Sequence, residues 1–248
     1  MFEATLSQAA VWKRCIDAIS TLIEEGIFSV SPTKVRFNSM DPARISMVDF
    51  ELSAESFETY KVDKNRNIGL NLEDMNKMLR RARPGDRLRM NLDEQTNRFV
   101  LTFEGISVTT FSIPLLDLGE SAAPTPTIPF TATIRMEAGV LSEALKDVGI
   151  VGDHVTLRAT PDFLRLEGES DVESVNVRLN KQSEGMAHME VKQECRAIYI
   201  ISYIQNMLKA AETTDIVELE CGQDLPLRLT VPLEGGRLAF LLAPRVED

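Results

Sequence analysis

Apolar residues recur at helical spacing in only four stretches of the chain, opening near Ser7, Leu72, Ala138 and Ser202 at intervals of roughly 65 residues. In the first, Val11, Cys15, Ile16, Ile19, Leu22 and Ile23 form one stripe, with Lys13, Arg14, Asp17, Thr21 and Glu24 on the opposite arc. The second turns Leu72, Met75, Met78, Leu79 and Ala82 inward and Lys77, Arg80 and Arg81 outward, until Pro84 and Gly85 stop it. Residues 137–149 and 202–211 repeat the pattern. Every gap is filled by runs in which alternate residues are apolar, as an antiparallel strand with one buried face requires: 35–40, 44–53, 66–72, 86–92, 98–104 and 107–113, then 131–136, 153–159, 162–169, 173–180, 196–201, 215–221, 226–232 and 236–243.

Between the two sets of runs lies DLGESAAPTPTIPF, residues 117–130, with three prolines and neither periodicity. The same order of elements flanks it on both sides. The predicted organisation is therefore α+β with two similar domains, 1–116 and 131–248, joined by the linker 117–130. Each helix has a single apolar stripe, so each must lie on a sheet face with its polar arc outward. All four polar arcs are expected along one concave side.

Charge sharpens this picture. The formal net charge is -11, with 27 Lys and Arg against 38 Asp and Glu, yet every polar helix arc carries a basic group: Lys13 and Arg14, then Lys77, Arg80, Arg81 and Arg83, then Lys146, then Lys209. Arg80, Arg81 and Lys209 lie near helix C-termini, where cations complement the helix dipole whatever else they do. The sorting of charge, acidic elsewhere and basic on the helices, nonetheless points to a polyanion met by the helices through sparse, mobile phosphate contacts. No run of eighteen apolar residues exists and the opening segment lacks a signal-peptide pattern, so a cytosolic or nuclear protein without a membrane span is expected.

Catalytic chemistry is hard to find. His154 and His188 are the only histidines and neither has a second ligand at metal spacing. No phosphate loop or nucleophile elbow occurs, and Asp41, Asp49 and Glu51 alternate along strands as solvated carboxylates do. Cys15, Cys195 and Cys221 are far apart in sequence and read as separate buried thiols. No catalytic residues, cofactor or metal are expected.

Particular strings carry more than periodicity can. SMDPARISMVDFEL (39–52), FETY (57–60) followed by DKNRNIGLNL (63–72), KDVGIVGDHV (146–155), YIQNMLKAAETTD (203–215) and GRLAFLLAPRVED (236–248) closely resemble the DNA sliding clamps of the proliferating cell nuclear antigen family, archaeal in type. The resemblance runs nearly end to end. It implies a homotrimeric ring of six similar domains, with helices lining a hole for duplex DNA and antiparallel sheets outside. Its basic lining would be Lys13, Arg14, Lys77, Arg80, Lys146 and Lys209, with Arg81 and Arg83 added. Ser20, Ile150 and Ser202 stand where some relatives carry a basic group, which implies either a looser hold on DNA or more reliance on the second helix.

The same resemblance implies a groove beneath the linker for short peptides with an apolar anchor and aromatic residues, walled by Met40, Ile45, Met47, Ala123, Thr125, Pro126, Pro226, Leu241, Leu242, Ala243 and Pro244. The plain alternative is that Met40, Ile45 and Met47 are core. Ala123 and Thr125 depart from the bulkier residues of some relatives. Subunits would join through edge strands, Ser107, Val108, Thr109, Thr110, Phe111, Ser112 and Ile113 of one chain against Glu173, Ser174, Val175, Asn176, Val177, Arg178 and Leu179 of the next; the plain alternative is an internal sheet pair. Implied partners are double-stranded DNA without sequence preference, two further copies of the chain, a clamp loader, DNA polymerase, flap endonuclease and DNA ligase. The implied location is the cytoplasm, at the nucleoid, of an archaeon, or the nucleus of a eukaryote. A subunit of a heterotrimeric or checkpoint-type clamp shares all of these features except self-closure; a two-domain enzyme and a scaffold acting away from DNA are the rivals from other classes.

Overall fold

The three-dimensional structure, a computed structural model, describes residues 1–119 and 124–246. In chain order the first eleven elements are β1 (Phe2–Leu6), α1 (Ala9–Ser20), β2 (Glu25–Ser31), β3 (Lys34–Met40), β4 (Ser46–Ser53), β5 (Thr59–Val62), β6 (Arg66–Asn71), α2 (Leu72–Leu79), β7 (Arg87–Asp93), β8 (Arg98–Glu104) and β9 (Val108–Pro114). After the linker come β10 (Ala132–Glu137), α3 (Ala138–Val148), β11 (His154–Ala159), β12 (Phe163–Glu169), β13 (Ser174–Asn180), β14 (Met186–Val191), β15 (Cys195–Ile200), α4 (Ile201–Leu208), β16 (Ile216–Cys221), β17 (Leu227–Leu233) and β18 (Gly236–Leu242). The two halves repeat one order: strand, helix, five strands, helix, three strands. The chain divides into two compact units, which exchange short segments: Leu233–Leu238 belongs with the first, and Ala43–Met47 with the second.

In the first unit one sheet runs β5-β1-β7-β8-β9 and a second run of strands is β4-β3-β2-β6. All pairings with a defined register are antiparallel, as Phe28 opposite Phe37 and Leu101 opposite Phe111 illustrate. The core beneath α1 centres on Trp12, 3% exposed, whose ring lies 5.6 Å from both Phe28 and Phe50. Hydropathy spacing alone assigns that stripe to Val11, which is half-buried instead; the aromatic ring fills a wider gap than Val can. In the second unit the corresponding orders are β14-β10-β16-β17 and β13-β12-β11-β15, with α3 burying Leu141, Ala144, Leu145 and Val148 and α4 burying Ile204, Met207 and Leu208.

The four helices open where the sequence places them but end earlier. α2 stops at Leu79, with Arg80 as its C-cap, and Arg81 and Ala82 close a tight turn onto Met78 O and Leu79 O. The buried Asp86 carboxylate accepts from Arg83 N at 2.8 Å and holds the chain in this turn ahead of Pro84. Met78 and Ala82 are consequently only half-buried. β1, β2, β5 and β14 are strands additional to the predicted runs. β1 is buried on both faces and shows no clean alternation, β5 has only four residues, and β14 is a sheet edge. Asp41 and Asp49, read as solvated, are 4% and 6% exposed. Asp49 is tolerated there because Arg237 donates to it at 3.1 Å and Arg36 stands 3.8 Å away.

Candidate nucleic-acid interface and edge strands

In the first unit α1 and α2 lie side by side, and the polar groups at their seam are organised around Asp17. Its Oδ1 accepts from Asn76 Nδ2 at 2.8 Å and from Arg80 Nη2 at 3.3 Å, while Asn76 also donates to Ser20 Oγ at 2.9 Å. Sequence spacing puts Asp17 on a solvated arc and gives no role to Asn76. Asn76 is 6% exposed, and a buried amide in a helix otherwise ruled by apolar spacing is the one signal that marks it. Ser20, lacking a basic group, is thus part of the seam.

Lys13 and Arg14 are half-buried on α1. Lys77 projects from α2 and pairs with Asp74 at 3.0 Å, the hydrogen bond raising the lysine's pKa. Arg81 and Arg83, expected on the helix, are exposed in the turn that follows it. In the second unit Lys146 pairs with Glu143 at 2.7 Å, one turn back on α3. Lys209 is the exposed C-cap residue of α4. Lys146, Ile150, Ser202 and Gln205 line a shallow, open concavity between α3 and α4. Ile150 is 78% exposed and presents an apolar side chain to solvent beside Lys146.

The predicted joining strands are both sheet edges, β9 closing β5-β1-β7-β8-β9 and β13 opening β13-β12-β11-β15. From Ser107 to Thr110 the first is exposed, Phe111 and Ser112 are half-buried and Ile113 is core; Phe111 packs edge-on to Phe103 at 5.9 Å. Along the second, Glu173, Ser174, Asn176 and Arg178 are exposed, whereas Val175, Val177 and Leu179 are half-buried. Arg178 lies over the Phe163 ring at 4.2 Å. The internal-pair alternative does not hold: among the described residues β9 pairs with β8 alone and β13 with β12 alone, in different sheets. Beside these strands Ile106 is 94% and Val172 89% exposed.

Of the expected groove residues, Ile45, Met47, Thr125, Pro126, Pro226, Leu241, Leu242, Ala243 and Pro244 belong to the second unit and Met40 to the first. Ala243 N donates to Ile45 O at 2.7 Å, fixing those two segments together. Thr125 and Pro126 are exposed, and Ile45, Pro226, Ala243 and Pro244 half-buried. Leu242, at 0% exposed, is core and not wall, and Met47 and Leu241 are nearly so at 6% and 8%. β18 is packed on both faces over its last five residues, which removes the alternation that would aim one of each pair outward. Met40, ending β3, is 41% exposed; Ala123 lies outside the described residues.

Residues 1–119 match the family model of the proliferating cell nuclear antigen (PCNA) N-terminal domain, and residues 125–246 that of its C-terminal domain. The chain belongs to the PCNA family. Curated relatives of this PCNA-family chain include the protein named DNA polymerase sliding clamp of Thermococcus gammatolerans, 34% identical over 248 residues, and that of Pyrococcus furiosus, 32% identical, each alignment covering 100% of this chain and 99% of the relative. A crystal structure of PCNA from Thermococcus kodakaraensis superposes with a TM-score of 0.95 at 27% identity, covering 99% of this chain and 100% of that one. Two PCNA domains, four helices and antiparallel sheets thus match the expected fold class. The PCNA-family chain carries a basic group at every helix and sets a carboxylate against three of these groups, Lys77, Arg80 and Lys146.

Proposed function

We propose that this chain is a DNA polymerase sliding clamp, a closed ring of three copies that encircles duplex DNA. The observation that carries this reading is the placement of two of the open sheet edges, β9 and β13, in the internal repeat. β4 and β18 are neighbours, with Ser53 N donating to Gly235 O in the first unit and Ala243 N donating to Ile45 O in the second. In the repeat, β9 occupies the place of β18 and β13 the place of β4, yet β9 and β13 end their sheets. The pairing made once within the chain is therefore available once more between chains, head to tail, and a head-to-tail contact that closes makes a ring in which both of these edges are covered.

In this reading the domains are 1–116 and 131–248, with 117–130 as linker. Lys13, Arg14, Lys77, Arg80, Arg81, Arg83, Lys146 and Lys209 face DNA. Retention is topological, so phosphate contacts need not be tight, and the basic groups serve to centre the duplex and let it slide. Thr125, Pro126, Pro226, Ile45, Ala243 and Pro244 form the docking groove for polymerase, clamp loader, flap endonuclease and ligase peptides. The protein performs no chemistry; it raises its partners' effective concentration at DNA, in the cytoplasm of an archaeal cell. Light scattering at micromolar concentration tests the ring: a closed homotrimer has a mass of about 83 kDa, three times the 27.7 kDa chain. A monomer or dimer would instead favour a ring completed by sibling subunits.

A further inference from the structure

Two of the three thiols are adjacent in space despite being 26 positions apart in sequence. Cys195 opens β15 and Cys221 closes β16, strands of different sheets in the second unit, and their Sγ atoms are 3.6 Å apart. That is van der Waals contact between two sulfurs with no residue between them. Each cysteine is 4% exposed, so bulky reagents are excluded while a molecule the size of water can reach the pair. Cys15, in the first unit, provides the contrast: burial pushes its thiol up to about 12, which leaves it protonated and inert.

We propose that Cys195 and Cys221 are a peroxide-sensitive modification site, forming a reversible disulfide that staples the two strands flanking α4. The Cys221 S–H hydrogen-bonds the Cys195 sulfur and holds its pKa below the ordinary thiol value, with burial opposing, while the same contact and burial push Cys221 above it. Cys195 is thereby the attacking thiolate and Cys221 the resolving thiol. The Cys195 sulfur attacks one oxygen of hydrogen peroxide; the O–O bond breaks, leaving a sulfenic acid and hydroxide that takes a proton to become water. Cys221 sulfur, as its proton leaves, attacks the Cys195 sulfur; the S–O bond breaks and a second water departs. Two thiols and one peroxide yield one disulfide and two waters, the sulfurs oxidised and the peroxide oxygens reduced. A low-molecular-weight thiol or thioredoxin-type dithiol reverses the step.

The bridge would enclose α4 and its cap residue Lys209 in a covalent loop. Constraining that loop in the unfolded chain raises the melting temperature of the oxidised protein by on the order of 10 °C. The test is peptide mapping of the wild-type protein treated with hydrogen peroxide while folded, then denatured and alkylated. A Cys195–Cys221 linked peptide, lost on reduction, with Cys15 fully alkylated, is the expected result. Alkylation of both Cys195 and Cys221, or a sulfinic acid on Cys195 with Cys221 still reduced, would overturn the proposal. In Cys221→Ser, which retains a small side chain, peroxide applied to the folded variant should leave a sulfenic acid on Cys195 that dimedone traps when the protein is then denatured in its presence; no label on Cys195 would equally count against the proposal.

Discussion

Three of the basic side chains proposed to face DNA carry a carboxylate of their own: Arg80 with Asp17, Lys77 with Asp74, Lys146 with Glu143. All three bases are more than half exposed, so the pairs contribute little to folding. Their effect falls on the ligand, because a phosphate must displace the carboxylate before it gains the cation. Glu143→Gln is therefore expected to strengthen DNA association and steepen its salt dependence by about one unit in the slope of log K against log salt, measured by fluorescence anisotropy across a salt series. An unchanged slope would mean Lys146 does not meet phosphate. Trp12 belongs to the opposite category, a side chain whose whole value is packing. Trp12→Ala removes the ring wedged against Phe28 and Phe50 and should cost about 3–5 kcal/mol in urea unfolding. The basic residues were legible in the sequence by type and spacing. Asp17 and Asn76 were not, since their roles arise only when α1 and α2 come together.

Strand termini and edges decide what each element can do. At the β7–β8 turn Asp93 Oδ1 accepts from the amides of Gln95 and Thr96 and Oδ2 from the Thr96 hydroxyl at 2.7 Å, with Asn97 at φ 54 completing the turn. The Thr96 hydroxyl and amide hold the Asp93 pKa below its ordinary 3.8. A carboxyl with a depressed folded pKa contributes stability that is complete above the ordinary value and is lost as pH falls through the folded one. Asp93→Asn should thus be less stable than wild type at pH near 7, and the gap should narrow below pH 3.8; equal gaps in urea titrations at both pH values would exclude the carboxylate as the cause. At the other end of that sheet β9 presents Val108, 71% exposed in the single chain. Val108→Glu should leave the circular dichroism spectrum intact and shift the mass at micromolar concentration from trimer to monomer, because a charge at a buried apolar edge is left unpaired. Strands with one wet face were visible as alternation. β1 and the end of β18 were not, being buried on both faces, and the length of α2 was set by the buried Asp86 turn and not by Pro84 alone.

At the scale of the whole molecule the internal repeat is the central fact. One order of eleven elements occurs twice, and among the described residues β9 and β13 are the edges whose counterparts in the repeat, β18 and β4, are paired. A ring that holds DNA by topology has a signature no affinity-based binder shares. Loaded onto nicked circular duplex, the protein should co-elute with DNA in size-exclusion chromatography at salt that abolishes phosphate contacts, and should be released when the circle is cut. Equal retention on circular and linear DNA would contradict encirclement. The net charge of -11 disfavours non-specific adhesion of DNA to the chain as a whole.

By itself the sequence determined the two-fold repeat, the four helix positions, most strands, the sorting of basic groups onto helices and the family resemblance, because each of these is written in local periodicity or in contiguous strings. Tertiary structure alone decided which residues meet across the chain. It brought Cys195 to Cys221, buried Asp49 beside Arg36 and Arg237, put Trp12 at the centre of a core, buried Leu242 and left β9 and β13 among the open edges. The physical reason is common to all of these. Burial and pairing depend on what a second element presents from a distant part of the chain, and no window of sequence contains both partners.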